Sequence, residues 1–159
     1  MDVHRFLSAI TRDWHYDDQI VRAHDIPARE AQFQDLSFEL PEALLDLLKQ
    51  DGIQRLYTHQ AAAVEAAMRG ENVAIVTSTA SGKTLCYNIP VLQAVLSDPR
   101  AKALYLFPTK ALAQDQLKTL KRYREFSPDL PLLAGTYDGD TPQELRRQLR
   151  DEGNVILTN

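Results

Sequence analysis

The chain has 159 residues, 44% of them hydrophobic and 25% charged, a composition that fits one globular core and excludes low-complexity, collagen-like and disordered classes. No apolar run approaches the roughly 18 residues a membrane-spanning helix needs, and no signal-peptide core follows Asp2, His4 and Arg5. The net charge is −4 but unevenly spread: residues 1–50 carry 5 basic and 10 acidic side chains, residues 51–159 carry 13 and 12.

A single cysteine, Cys86, excludes an internal disulfide framework, and His4, His15, His24 and His59 lack metal-ligand spacing. A reducing, cytoplasmic setting without structural zinc is expected. The acidity belongs to the front of the chain. Behind it, Lys118, Lys121, Arg122 and Arg124 form one basic cluster and Arg146, Arg147 and Arg150 another. Either cluster can meet phosphates, and either is equally a solvated helix face.

In chain order, Val3, Phe6, Leu7 and Ile10 form a short amphipathic stretch within a polar lead-in. Pro41 suits the first turn of a helix whose apolar stripe is Leu44, Leu45, Leu47 and Leu48 and whose stop is Gly52. These elements predict an N-terminal helical extension over residues 1–52. From Thr58 an alanine-rich segment predicts a helix capped by Thr58 and stopped by Gly70.

A rhythm then sets in. Val73–Val76 is an apolar run, followed by a small-residue loop and a helix to about Leu96; Ala103–Phe107 is a second run, with a helix from Thr109 to about Tyr123. Leu132–Ala134 precedes a helix opened by Thr141, Pro142 and Glu144 at capping-box spacing, and Val155–Leu157 is a fourth run. Buried runs alternating with helices predict parallel strands with crossover connections, hence an α/β fold over residues 53–159.

The chemistry concentrates in Thr77-Ser78-Thr79-Ala80-Ser81-Gly82-Lys83-Thr84, between a predicted strand and a predicted helix. A phosphate needs inward-pointing backbone N–H groups and the positive end of a helix. Gly82 permits close approach, Lys83 adds a charge for the β- and γ-phosphates, and the Thr84 hydroxyl suits Mg²⁺. The strict pattern GxxxxGK[ST] is not met, because Thr77 occupies its first glycine position; the fourth position, usually a glycine in related loops, is Ala80.

Upstream, Tyr57 and Gln60 offer a ring and a carboxamide; the carboxamide suits the donor–acceptor edge of adenine, although a glutamine at a helix start is also an ordinary surface residue. Pro108, Thr109 and Lys110 place a cap hydroxyl, free N–H groups and an ammonium at one helix start, which is either a plain capped helix or a phosphate contact. The loop Gly135–Thr141 and the pair Thr158-Asn159 follow later strands, on the edge where open parallel sheets bind ligands.

These elements together resemble the superfamily 2 helicases of the DEAD/DEAH type. Tyr57–Gln60 resembles the Q motif, Thr77–Thr84 motif I, Pro108–Ala113 motif Ia, and Val155–Asn159 the start of motif Ib. The phrases LYTHQAAAVEAAMRGENVAIVTSTASGKTLCYNIPVL, LFPTKALAQDQL and TYDGDTP resemble the bacterial and archaeal repair helicases with a C-terminal DUF1998-type domain, which tolerate alanine at the Ala80 position. The resemblance implies a RecA-like parallel sheet with flanking helices and ATP-driven unwinding, with DNA the expected strand type, single or duplex.

It further implies that Tyr57, Gln60, Thr79, Ala80, Ser81, Gly82, Lys83 and Thr84 hold ATP, with Lys83 catalytic and Thr84 on Mg²⁺. Pro108, Thr109, Lys110, Gly135 and Thr158 would lie along a nucleic-acid backbone. No DEAH or DExH sequence occurs, so the chain is expected to be the first part of such a domain, ending before motif II and lacking a second RecA-like domain in cis. A nucleotide- or nucleic-acid-binding module without motor activity is the alternative. An incomplete sheet also predicts an open apolar edge and marginal stability of the chain alone.

Overall fold

A computed structural model describes residues 2–27 and 30–159. The chain divides into two compact units, Met1–Ala31 and Gln32–Asn159. The first contains helix α1 (Val3–Ile10), whose N-cap Asp2 accepts from the N–H groups of His4 and Arg5 at 3.0 and 3.1 Å. Its apolar stripe is the predicted one, yet none of its residues is buried.

In the second unit, α2 (Glu42–Gln50) follows Pro41, and it buries Leu44, Leu47 and Leu48. The predicted extension over residues 1–52 is therefore divided, with α2 contributing to the main core. Helix α3 (Thr58–Met68) starts one residue earlier in register than its sequence suggests: Tyr57 is the N-cap, and its N–H donates to Gln60 Oε1 at 2.9 Å. Helix α4 (Thr84–Ser97) carries Pro90 in its interior, where the ring removes one backbone donor without ending the helix.

Three strands, β1 (Ala103–Leu106), β2 (Ala134–Thr136) and β3 (Val155–Thr158), form a parallel sheet in the order β1-β3-β2, with Ala103 and Ala134 both opposite Val155. Helix α5 (Lys110–Phe126) crosses from β1 to β2, and α6 (Gln143–Glu152) from β2 to β3. The central strand is the most buried, with Val155 and Leu157 fully covered. Ile89 and Leu92 of α4 and Leu117, Leu120 and Tyr123 of α5 belong to the same core. Burying a leucine- or valine-sized chain stabilises by about 1.5–3 kcal/mol, so each of these side chains contributes to the core on that scale.

A buried asparagine joins the segments at the sheet's amino end. Asn154 is 3% exposed; its Oδ1 accepts from Leu133 N–H at 2.9 Å, and its Nδ2 donates to the carbonyls of Pro99 and Ala101 at 2.8 and 3.1 Å.

Two expectations are corrected. Val73–Val76 forms no strand: it carries no regular secondary structure, Val73 is 41% and Val76 95% exposed, and no strand among the described residues lies beside it to supply a ladder. An apolar run becomes a strand only when a neighbour accepts its hydrogen bonds. The same condition leaves β1 at the edge of the sheet, with Leu104 and Leu106 62% and 71% exposed. The second correction concerns Thr141, which does not cap α6. Pro142 is the N-cap, and the Thr141 hydroxyl donates to Thr136 O (3.0 Å) and accepts from Asp138 N–H (2.9 Å), closing the preceding turn instead.

Candidate phosphate-binding site

The loop ahead of α4 is shaped by its backbone. Gly82 has φ +72° and Ala80 φ +58°. The left-handed region is ordinary for glycine and costs an L-residue about 1–2 kcal/mol, so Ala80 holds a strained turn that the small-residue loop imposes. A Cβ at Gly82 would in addition meet Gln60 Nε2 at 2.5 Å and displace that amide from its bond to the loop.

Two consecutive side chains of α3 hold two consecutive loop carbonyls. His59 Nε2 donates to Ser81 O at 2.9 Å, and Gln60 Nε2 donates to Gly82 O at 2.9 Å. Gln60 is 2% exposed and thus spends one amide hydrogen on the loop and one oxygen lone pair on Tyr57 N–H, leaving one donor and one acceptor. Tyr57 stacks between Phe33 and His59, with ring centroids 5.2 and 5.8 Å away.

Lys83, immediately before α4, lays its ammonium inside the loop. It donates to Thr77 O and Thr77 Oγ1, both at 3.1 Å, to Ser81 Oγ at 3.2 Å, and to Ser78 O. The Thr77 and Ser81 hydroxyls bond each other at 2.6 Å. Among the described residues, no protein acceptor meets the N–H groups from Thr79 to Thr84. A run of free donors at a helix N-terminus, with a lysine among them, is the donor set an anionic phosphate chain requires. Beside the loop a cavity of about 730 Å³ extends from Phe33, Tyr57, Gln60 and Thr84 to the Asp51–Arg122 ion pair (2.6 Å), within the roughly 300–1,000 Å³ typical of small-molecule sites.

The structure thus gathers Tyr57, Gln60, Thr79, Ala80, Ser81, Gly82, Lys83 and Thr84 in one place. Among the described residues no cluster of three His, Cys, Asp or Glu side chains is able to hold a metal, and Thr84 opens α4 beside the loop and the cavity.

The carboxyl ends of the strands gather a second group. Thr109 caps α5, its hydroxyl accepting from Leu112 N–H at 3.3 Å. Lys110 Nζ reaches Asp140 Oδ2 at 2.6 Å; the contact holds the Asp140 carboxyl below the usual carboxylate range and raises the lysine. Gln114 Nε2 donates to Thr136 Oγ1 at 3.1 Å, and Arg146 Nη2 donates to Asp138 O at 2.7 Å while its guanidinium lies 5.5 Å from the Tyr137 ring centroid. Thr158 ends β3 beside Leu106. Gly135 stands apart from this group: it is buried in β2, where a Cβ would meet Leu149 Cδ2 at 2.7 Å, so close helix–strand packing accounts for the glycine.

Neither His59 nor Asp140 is marked as a site residue by its sequence context. His59 enters the sequence reading only as one of four histidines without metal-ligand spacing, and its partner lies 22 residues further along.

A parallel sheet covered by helices, with a run of free N–H groups and a Gly-Lys-Thr opening one of them, defines a phosphate-loop nucleotide-binding domain. A model of the DEAD/DEAH box helicases matches residues 57–159, and the chain belongs to that family. It is 41% identical to the uncharacterized ATP-dependent helicase YprA of Bacillus subtilis, over 96% of this chain and 20% of the relative. It is 40% identical to the ATP-dependent helicase hrq1 of Schizosaccharomyces pombe, over 99% of this chain and 15% of the relative. The crystal structure of the DUF1998 helicase MrfA bound to DNA and AMPPNP superposes with a TM-score of 0.84 at 40% identity, over 98% of this chain and 21% of MrfA. The chain therefore spans about a fifth or less of the length of these relatives.

Proposed function

We propose that this chain forms the ATP-binding part of a nucleic-acid-dependent motor that couples ATP hydrolysis to movement along a strand, with DNA as the track. The observation that carries the reading is the unpartnered N–H run Thr79–Thr84 around the Lys83 ammonium. ATP bound there supplies the phosphoanhydride whose hydrolysis drives the motor. Lys83 would leave its loop oxygens for the β- and γ-phosphates, Thr84 would hold Mg²⁺, and Gln60 has one donor and one acceptor left for the adenine edge. Tyr57 presents a partly exposed ring to the same cavity.

Thr109, Lys110 and Thr158, with Pro108 between strand and helix, stand at the carboxyl edge of the sheet, where sugar–phosphate contacts would be independent of sequence. The likeness to MrfA, whose crystal structure holds DNA, supports DNA over RNA; the resemblance to DUF1998 helicases supports a repair setting, and the lone cysteine suits a reducing, cytoplasmic one. Among the described residues no helix is long and apolar enough to cross a membrane. A second RecA-like domain following this chain would complete the site at the γ-phosphate.

The test is equilibrium binding of a fluorescent ATP analogue with Mg²⁺ to the whole protein and its Lys83→Ala variant. Micromolar binding that weakens at least tenfold in the variant is expected. Equal binding by both folded proteins would sink the assignment of the loop.

A further inference from the structure

We infer that His59 is a positioning residue for the phosphate site: its imidazole fixes the Ser81 carbonyl so that the Gly82 N–H is presented to a phosphate. The inference rests on the reading of this loop as an ATP site and deepens it. In a trans peptide the C=O and the following N–H point in opposite directions. Anchoring Ser81 O on α3 therefore aims the Gly82 N–H away from α3, and anchoring Gly82 O with Gln60 does the same for the Lys83 N–H. Both N–H groups are among those without a protein acceptor, so the clamped peptides are the ones that carry donors for the ligand.

The imidazole is itself held in place. It is half-buried and stacks on Tyr57 at 5.8 Å and 11° between ring planes, and Tyr57 stacks on Phe33 at 5.2 Å and 16°. Because a carbonyl only accepts, Nε2 must carry the hydrogen. The adjacent loop residue Ala80 is at φ +58°, a conformation that persists only when its surroundings over-determine it. The two α3 side chains supply that constraint on its carboxyl side. Phosphate donors fixed before binding spare the ligand the cost of ordering them.

Two substitutions separate the donor from the ring. His59→Phe keeps the stack on Tyr57 and removes the hydrogen bond; His59→Gln removes the ring and keeps an amide donor of similar reach. In the whole protein, titrated with the fluorescent ATP analogue and separately with adenosine, His59→Phe is expected to weaken the ATP analogue about fivefold to tenfold, the effect of one lost hydrogen bond. Adenosine affinity is expected to stay unchanged, and His59→Gln to bind the analogue within about twofold of the parent. Parent-like ATP binding by folded His59→Phe, equal losses for ATP and adenosine, or a His59→Gln variant as weak as His59→Phe would each overturn the clamp. A parent protein that binds no ATP analogue would instead overturn the phosphate-loop reading, and the clamp with it.

Discussion

Asn154→Ala is the perturbation whose cost follows most directly from the fold. The side chain is 3% exposed and supplies one acceptor and two donor bonds, to Leu133 N–H, Pro99 O and Ala101 O. Losing the acceptor leaves a shielded N–H unpaired, at about 1–3 kcal/mol, and each of the other bonds is worth about 0.5–1.5 kcal/mol net. The sum is on the order of 3 kcal/mol, which for a domain of this size lowers Tm by about 6–12 °C. The assay is thermal unfolding followed by circular dichroism, with Gln148→Ala, an exposed change on α6, as control. The control should stay within about 0.5 kcal/mol of the parent. A Tm for Asn154→Ala within about 1–2 °C of the parent's would show that the three segments are held by something other than this side chain.

Further outcomes follow from the same structure. Burial pushes the Tyr123 hydroxyl from 10.0 up to about 12, with Asp51 adding to the shift, and burial raises Tyr105 as well. The native state then keeps a proton that the unfolded chain loses, so stability should fall as pH rises from about 10 through 12; a flat alkaline unfolding curve would contradict this. Replacing Ala80, at φ +58°, with glycine should relieve about 1 kcal/mol of backbone strain, partly offset by the extra freedom of glycine in the unfolded chain. Chemical denaturation should therefore show a neutral to slightly stabilising effect, and a loss above about 1 kcal/mol would be inconsistent with the turn described. Asp140→Asn should free Lys110 from its 2.6 Å partner and tighten single-strand DNA binding, while Lys110→Ala should weaken it and reduce the salt slope by about 1. Unchanged salt titrations for both variants would remove Lys110 from the interface.

What the sequence made legible follows from how local each signal is. The phosphate loop was readable because small residues, a glycine, a lysine and a threonine must occupy adjacent positions between an extended segment and a helix start. Thr109 as the α5 cap was equally local and is observed. Features that depend on a distant neighbour were not readable in this way. Val73–Val76 has the composition of a strand and lacks a ladder partner. Thr141 has capping-box spacing, but its hydroxyl is drawn to Thr136 and Asp138. Asn154 reaches Pro99 across 55 residues, and nothing in its immediate sequence marks it. Gly135 reads as a loop glycine, whereas Leu149 crowding its face explains it. Leu104 and Leu106 are likewise apolar residues of a strand-like run, and their exposure follows from the place of β1 at the sheet edge.

The central claim is that the loop before α4 and the carboxyl edge of the sheet belong to one ATP-driven machine. The most direct measurement is steady-state ATP hydrolysis by the whole protein with and without single-stranded DNA, in the parent and in Lys83→Ala. DNA should raise the parent's rate severalfold and leave Lys83→Ala at background. Hydrolysis indifferent to DNA in the parent, or DNA-stimulated hydrolysis surviving in Lys83→Ala, would contradict the account.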